Sequence, residues 1–331
     1  MGKKVLLFNF VFFSLFTGIF AQSSKEAKFQ LSLVPPIGTQ GAKTKEYTND
    51  FSLNILVGVS ENERIFTLGG ILNIIRNDAS GFQLAGLGNV IGNNSKGFQI
   101  AGLFNMIGKD GQGLLLSNVF NYSKDYTGIQ LAGIANIAND VSGLQLGVIN
   151  KARNVDGVQF AGIMNIAENS DYPIGFINII KNGEIGVGIS YNETGTTMLS
   201  FRSGGRILYG IIGVGYNHRS DISGESFIVT GGLGAHINIK ESLRINTEMK
   251  VSTYGTKNFG PFQHTIAILP AFRLGRNFEI FAGPTINYLK SDNEKNRDIF
   301  PDMSINIWKD FEGKMHRQVY VGFSIGTQVL F

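Results

Sequence analysis

The chain contains a nine-residue segment, GFQLAGLGN at residues 81–89, that recurs as GFQIAGLFN at residues 97–105. Related segments continue along the sequence and end on Asn73, Asn89, Asn105, Asn121, Asn136, Asn150, Asn165 and Asn178. Five of the copies also hold Gln in one column, at Gln83, Gln99, Gln130, Gln145 and Gln159. A short, nearly fixed period predicts a repeat architecture, and we place the tandem repeat region at residues 64–182.

The repeats predict strands rather than helices. Apolar residues recur at every second position, and Gly, Asn and Asp separate the segments at short intervals. Two all-β architectures fit the period. One is a β-solenoid of stacked parallel coils, and the other is an antiparallel meander with one membrane strand and one turn per repeat.

The two faces of a repeat favour the meander. In a continuous strand, one face carries Phe82 and Leu84 and the other carries Gln83 and Asn89, as expected between lipid and a barrel interior. Antiparallel pairing about the central glycines also sets Gln83 opposite Asn105. We therefore expect an antiparallel outer-membrane β-barrel of 16–20 strands that includes the repeats. The alternative is a solenoid segment joined to a smaller C-terminal barrel.

The region after the repeats alternates more sharply. In LRINTEMKVSTY the side chains of Arg244, Glu248 and Lys250 face away from the apolar ones, so we expect them, with Glu184, to line or plug a barrel lumen. The last segment, VYVGFSIGTQVLF, alternates and ends on Phe331. It resembles the C-terminal strand of Gram-negative outer-membrane barrels, which implies recognition by the barrel-assembly machinery.

The N-terminus predicts export. Lys3 and Lys4 precede an uncharged apolar run that ends near Ala21, which is typical of a cleavable signal peptide at residues 1–21. We divide the rest into an entry segment at 22–63, the repeats at 64–182 and C-terminal barrel strands at 183–331. The chain has no Cys, and its 29 Lys and Arg nearly balance 25 Asp and Glu, so neither sulfur chemistry nor a nucleic-acid partner is indicated.

Residues 30 to about 180 also resemble a family. LSLVPPIGTQG and YTNDFSLNILVG, followed by GFQLAGLGN and its copies, are similar to bacterial surface-repeat proteins with tandem Gly-x-Gln-x-Ala-Gly-x-x-Asn units. The chain departs from the unit at Leu115 and Asn118. The resemblance implies a surface location and supplies no catalytic residues.

Candidate chemistry is sparse. The four His (His218, His236, His264 and His316) are far apart in sequence, and we expect no metal site and no cofactor. We predict a non-enzymatic outer-membrane or surface β-barrel, acting as a pore or a scaffold, whose partners are the lipid bilayer and the assembly machinery. The alternatives are a barrel-embedded lipid or peptide hydrolase, for which His264 is the best base, and an exported soluble β-repeat adhesin.

Overall fold

A computed structural model describes residues 25–220, 226–255, 260–292, 298–301, 304–312 and 315–331. The expected signal peptide lies outside these residues, as does most of the charge run at 292–298. Within the described ranges no helix is both long and apolar enough to cross a membrane. Two sheets organise these ranges, a mostly parallel one before residue 183 and an antiparallel one after it.

The first sheet holds eighteen strands and is accompanied by a 3-10 helix at Gly41–Glu46. Its strands are β1 (Lys25–Val34), β2 (Ile37–Gly38), β3 (Tyr47–Asn54), β4 (Val57–Ser60), β5 (Asn62–Gly69), β6 (Leu72–Ile75), β7 (Ala79–Ala85), β8 (Gly88–Ile91), β9 (Ser95–Ala101), β10 (Phe104–Ile107), β11 (Asp110–Ser117), β12 (Phe120–Tyr122), β13 (Asp125–Ala132), β14 (Ala135–Ile137), β15 (Asp140–Lys151), β16 (Asn154–Ala167), β17 (Asn169–Ile174) and β18 (Ile177–Ile180).

These strands form a β-solenoid. A typical coil consists of a long strand, a bend, a short strand and a turn, and each long strand pairs in parallel with the long strand of the next coil, so that Phe98 lies between Phe82 and Leu114. Short strands stack in the same way, with Asn105 between Asn89 and Asn121. The solenoid therefore repeats the sequence unit once per coil.

The predicted antiparallel barrel of 16–20 strands is wrong for the repeats, and the alternative of a solenoid joined to a smaller barrel is the observed fold. Gln83 pairs with Gln99 rather than lying opposite Asn105. The strand is also not continuous through the repeat, because the chain bends between β7 and β8. The bend turns Leu87 outward, away from the face that holds Gln83 and Asn89.

The solenoid interior holds stacked amides. The Asn side chains form a ladder in which Nδ2 of Asn89 donates to Oδ1 of Asn105 at 2.9 Å, and Nδ2 of Asn105 donates to Oδ1 of Asn121 at 3.0 Å. In the Gln column, Nε2 of Gln99 donates to Oε1 of Gln83 at 2.8 Å. These amides are fully buried, and their mutual hydrogen bonds replace most of those that they would make with water.

The solenoid exterior is apolar on the face of the long strands and on that of the short strands, where residues such as Val90, Met106 and Ile137 point outward. Two outward columns run along the long strands, namely Phe29, Phe51, Phe66, Phe82, Phe98, Leu114, Ile129, Leu144, Val158 and Tyr172, and then Leu31, Leu53, Leu68, Leu84, Ile100, Leu116, Leu131, Leu146, Phe160 and Ile174. The bends add a third apolar column, which we call the bend edge: Leu56, Ile71, Leu87, Leu103, Val119, Ile134, Ile163 and Phe176. Most of these side chains are exposed.

Between residues 64 and 182, charges are confined to the opposite edge of the solenoid. We call this the turn edge, formed by the turns between coils and the first residues of each long strand. Between residues 64 and 182 it carries Arg64, Arg76, Asp78, Lys96, Lys109, Asp110, Lys124, Asp125, Asp140, Lys151, Arg153, Asp156, Glu168, Asp171 and Lys181. The solenoid thus has a polar interior, apolar faces and one charged edge.

The second sheet is a barrel. Its strands are β19 (Glu184–Asn192), β20 (Thr196–Gly204), β21 (Leu208–Asn217), β22 (Phe227–Lys240), β23 (Leu243–Tyr254), β24 (Phe262–Leu274), β25 (Phe278–Ser291), β26 (Ile305–Glu312) and β27 (Met315–Leu330). Neighbours run antiparallel in the order β19 to β25 and then β27, and β27 also pairs with β19. Eight strands therefore close on themselves, which leaves no open edge within this ring. The short β26 extends the start of β27.

The last solenoid coil packs against the outside of the barrel. The backbone N–H of Asn178 donates to Oγ of Ser203 at 2.9 Å, and Nδ2 of Asn178 donates to O of Ser203 at 3.0 Å. At the turn edge, Arg206 forms a bidentate ion pair with Asp171 at 2.8 Å. The aromatic ring of Phe176 lies over Gly231 on β22.

Candidate functional site: the barrel wall and its filled interior

The barrel wall separates apolar from polar side chains by strand alternation. Each of its eight strands places exposed aliphatic residues outward, and one example per strand is Ile189, Leu199, Val214, Val229, Val251, Ile266, Ile286 and Ile325, each at least 44% exposed. The intervening side chains are buried, and most of the charged residues of the strands are among them, beside apolar residues such as Leu269 and Phe281. An apolar exterior around a polar interior is the pattern of a barrel in lipid and the reverse of a water-soluble one.

Glu248 is the centre of one interior cluster. Its carboxylate accepts from Nε of Arg202 at 2.8 Å and pairs with Nζ of Lys250 at 2.9 Å, and it also accepts from the hydroxyl of Tyr209 at 3.2 Å. Strand β23 places Glu248 and Lys250 on the same face, and Arg202 reaches them across the interior from β20. Both Arg202 and Glu248 are buried, so each charge is compensated by the other and not by water.

Arg244 organises a second cluster nearer the end of the barrel where the chain enters and leaves. Its guanidinium pairs with Glu184 at 2.6 Å and with Glu279 at 2.7 Å. Glu279 also accepts from Nε2 of Gln328 at 2.7 Å, and Arg273 pairs with both carboxylates. This cluster joins β19, β23, β24, β25 and β27 across the lumen.

Glu193 holds a third cluster at the opposite end. It accepts from the hydroxyl of Tyr320 at 3.0 Å, from the backbone N–H of Phe323 at 3.0 Å and from Nδ2 of Asn287 at 3.1 Å. Gln263 bridges Asn287 and Tyr320. Glu193 therefore has partners on β25 and β27, and Gln263 connects β24 to the same cluster.

The three clusters together fill the lumen. In two of the clusters four basic residues (Arg202, Arg244, Lys250 and Arg273) pair with three acidic ones (Glu184, Glu248 and Glu279), while Glu193 in the third accepts from neutral donors. A space of about 40 Å³ lies beside Lys250 and Asn287, which is room for a few water molecules.

The four residues predicted to lie in the lumen all occur in these clusters. Glu184, Arg244, Glu248 and Lys250 project inward, where they pair with one another and with residues that sequence reasoning missed, chiefly Arg202, Glu193, Glu279 and Arg273. Their alternation with apolar neighbours was present in the sequence, as in FEIFAGPTINY, but their pairing across the lumen was not.

The other predicted positions lie apart from the lumen. Phe331 is exposed at the end of β27, and its N–H donates to O of Ile185 at 2.9 Å. The Gln and Asn columns lie inside the solenoid.

His264 faces outward from β24, where its ring stacks on Tyr288 with centroids 6.2 Å apart. Among the described residues no group of three or more His, Asp or Glu could hold a metal ion. No observation at His264 favours a hydrolytic centre.

Comparisons with known proteins give one similarity of structure. No protein family matches the sequence, and no curated protein matches it. A solved structure described as "De novo design of transmembrane beta-barrels" aligns with 45% of this chain and 93% of its own, at 14% identity and a TM-score of 0.27. At this level the similarity says nothing about what the chain binds or does.

Proposed function

We propose that the chain is an outer-membrane protein in which a closed, non-conducting barrel anchors the solenoid to the bilayer. The proposal assigns it no catalytic activity. The observation that carries it is the barrel's combination of an apolar wall with a lumen filled by paired charges. A wall of this kind is stable in lipid, because a closed ring of strands leaves no open sheet edge with unpaired backbone groups.

The height of the apolar wall supports a membrane location. On β24 the outward aromatic residues Phe262 and Phe272 lie ten residues apart, and on β25 Phe278 and Tyr288 have the same separation. Ten residues at about 3.3 Å each, tilted by about 40°, span about 25 Å along the barrel axis. That is the usual height of the apolar band between the two aromatic girdles of an outer-membrane barrel.

The connections between strands support one orientation. The turns after β20, β22 and β24 are short and lie at the same end as the barrel's first and last residues. Apart from the short β19–β20 turn, the connections at the other end are longer. Outer-membrane barrels have short periplasmic turns and longer extracellular loops, so in this proposal the solenoid joins the barrel at its periplasmic end.

The filled lumen favours an anchor over a pore. Conduction requires a continuous aqueous path, whereas here Glu248, Arg244 and Glu193 occupy successive levels of the interior. We expect the purified protein in planar bilayers to produce no channel steps under conditions where a porin conducts. Regular single-channel steps would support the pore instead.

The membrane location is tested by fractionation and by gel mobility. We expect the protein in the outer-membrane fraction after carbonate extraction, and we expect it to migrate faster in SDS gels unboiled than boiled, because a folded barrel resists SDS. Recovery as a soluble periplasmic protein, or equal mobility in both lanes, would contradict the proposal.

A further inference from the structure

The solenoid has a surface that a protein in water does not tolerate. Apolar columns cover the face of the ten long strands, and the face of the short strands and the bend edge are apolar as well. Soluble proteins rarely expose contiguous apolar patches of more than a few hundred Å². Something apolar therefore covers these faces in the native protein.

We propose that the solenoid is inserted sideways into one leaflet of the membrane, with its bend edge near the bilayer midplane and its turn edge at the headgroups. The inference rests on the proposed function, because it requires the barrel to lie in the same bilayer. The acyl chains of the periplasmic leaflet cover the apolar faces.

The depth of the apolar surface fits one leaflet. Between the outward column that contains Phe98 and the bend edge at Leu103 lie five residue steps, or about 16 Å at 3.3 Å per residue. Half of a 30 Å hydrocarbon core is about 15 Å. Next to Phe98 on the turn side is Gly97, and then the charged edge begins at Lys96. Charge thus appears at the depth where headgroups begin.

The bends meet the backbone requirement of a lipid environment. Any N–H or C=O in hydrocarbon must be paired within the protein. At the bends the N–H of Gly102 donates to O of Ala85, and the N–H of Leu103 donates to O of Leu87, at 3.1 and 2.8 Å. The same coil-to-coil bonds recur at Leu87 and Val119.

Contacts between the last coil and the barrel fix the heights of the turn edge and the bend edge along the barrel axis. The turn edge meets the short β20–β21 turn through Asp171 and Arg206, and the bend edge meets the wall where Phe176 covers Gly231. Gly231 pairs with Ile212, six residues beyond Arg206. With the usual barrel tilt of about 40°, six residues rise about 15 Å. The barrel wall and the bend edge therefore reach the midplane together and form one continuous apolar surface.

Tryptophan quenching by brominated lipids tests the inference. The chain has a single Trp, Trp308, so W308F provides a background free of Trp. Single Trp residues are then introduced at Leu103 on the bend edge, at Lys109 on the turn edge and at Ile268 on the barrel wall. Each variant is reconstituted in phosphatidylcholine vesicles whose acyl chains carry bromine near the midplane, and only variants that keep the SDS-gel shift are compared.

We expect strong quenching at positions 103 and 268 and at least a threefold weaker effect at position 109. Quenching at 268 without quenching at 103 would overturn the insertion and leave the barrel proposal standing. Absence of quenching at both 103 and 268 would overturn the insertion and the barrel proposal together. Equal quenching at 103 and 109 would rule out one-leaflet insertion. Ile134→Trp repeats the bend-edge measurement in case Leu103→Trp does not fold.

Discussion

Single buried amides stabilise the solenoid, and Asn105 is a representative one. Its Nδ2 lies 2.9 Å from O of Leu116 and 3.0 Å from Oδ1 of Asn121, while its Oδ1 accepts from Asn89 at 2.9 Å. Asn105→Leu would remove these buried hydrogen bonds to Asn89, Leu116 and Asn121, so we expect the free energy of unfolding to fall by about 3 kcal/mol.

Denaturant unfolding followed by circular dichroism in detergent micelles measures this loss. Gln112→Leu is the control, because Gln112 is exposed on the turn edge. Equal losses for the two variants would contradict the ladder's role.

We expect the buried carboxyl of Glu63 to make the free energy of unfolding depend on pH. Burial raises the pKa of its carboxyl above the ordinary value, although hydrogen bonds from Asn49 and Ser52 partly oppose the shift. A raised pKa in the folded state means that the stability linked to Glu63 is fully present below its ordinary pKa and is lost as pH rises through the raised one. We therefore expect Glu63→Gln to gain stability relative to the natural protein as pH increases.

Unfolding free energies of both proteins between pH 4 and 8 test this expectation, with Glu168→Gln at an exposed position as the control. A difference between Glu63→Gln and the natural protein that stays constant with pH would refute it.

Among the elements, the long strands depend on a stacked column of glycines. Gly113 has a φ of +117°, and a Cβ there would lie 2.1 Å from O of Gly97 in the preceding coil. Gly113→Ala should therefore cost about 3 kcal/mol of stability through backbone strain and lost coil stacking.

Gly275 is a matched control, because its φ is also positive at +73° but a Cβ there would have no heavy atom within 4 Å. The loss in Gly275→Ala should be about 1 kcal/mol, which is the cost of the backbone conformation alone. Comparable losses in the two variants would show that stacking contributes nothing.

In the barrel, the strands depend on the cluster around Glu248. Glu248→Gln removes one charge and leaves Arg202 and Lys250 without their carboxylate partner. Breaking a buried ion pair in this way costs about 3–5 kcal/mol. The temperature at which the unboiled gel band disappears should therefore drop.

The exposed variant Asp292→Asn, which breaks only the surface pair with Lys290, should leave that temperature unchanged. An unchanged temperature in Glu248→Gln would mean that the cluster does not stabilise the barrel.

The sequence allowed the strands and the repeat to be predicted, but not the direction of pairing. A 16-residue period fits one tilted strand with a turn as well as one coil. Two features distinguish the solenoid from the meander. One is the bend after Ala85, where Leu87 leaves the alternation of the strand, and the other is the left-handed backbone of Gly97. Leu87 was the sequence signal of that bend, because it is aliphatic on the strand face that the meander turned toward a polar barrel interior.

The inward charges of β23 followed from alternation. Their partners did not, because Arg202 and Glu248 are 46 residues apart and only closure of the ring brings them together.

At the scale of the whole molecule, glycines let the solenoid approach the barrel. A Cβ at Gly210 on β21 would lie 2.0 Å from O of Gly175 in the last coil. Gly210→Ala should therefore separate the two parts while each still folds, so we expect faster trypsin cleavage at Lys181 with the unboiled gel shift retained.

Gly162→Ala serves as the control, since a Cβ there meets no heavy atom closer than 3.8 Å. An unchanged cleavage rate in Gly210→Ala would mean that this contact does not hold the junction.

The in-register stacking of coils has a consequence for how such chains vary in length. Duplicating one repeat adds one coil, or about 4.8 Å, without altering the pairing of any other coil. Because the last coil is fixed to the barrel wall through Asn178 and Ser203, every added unit moves the first coil farther from the barrel. The number of repeats is therefore a molecular ruler that sets the distance between the barrel and the N-terminal end of the solenoid.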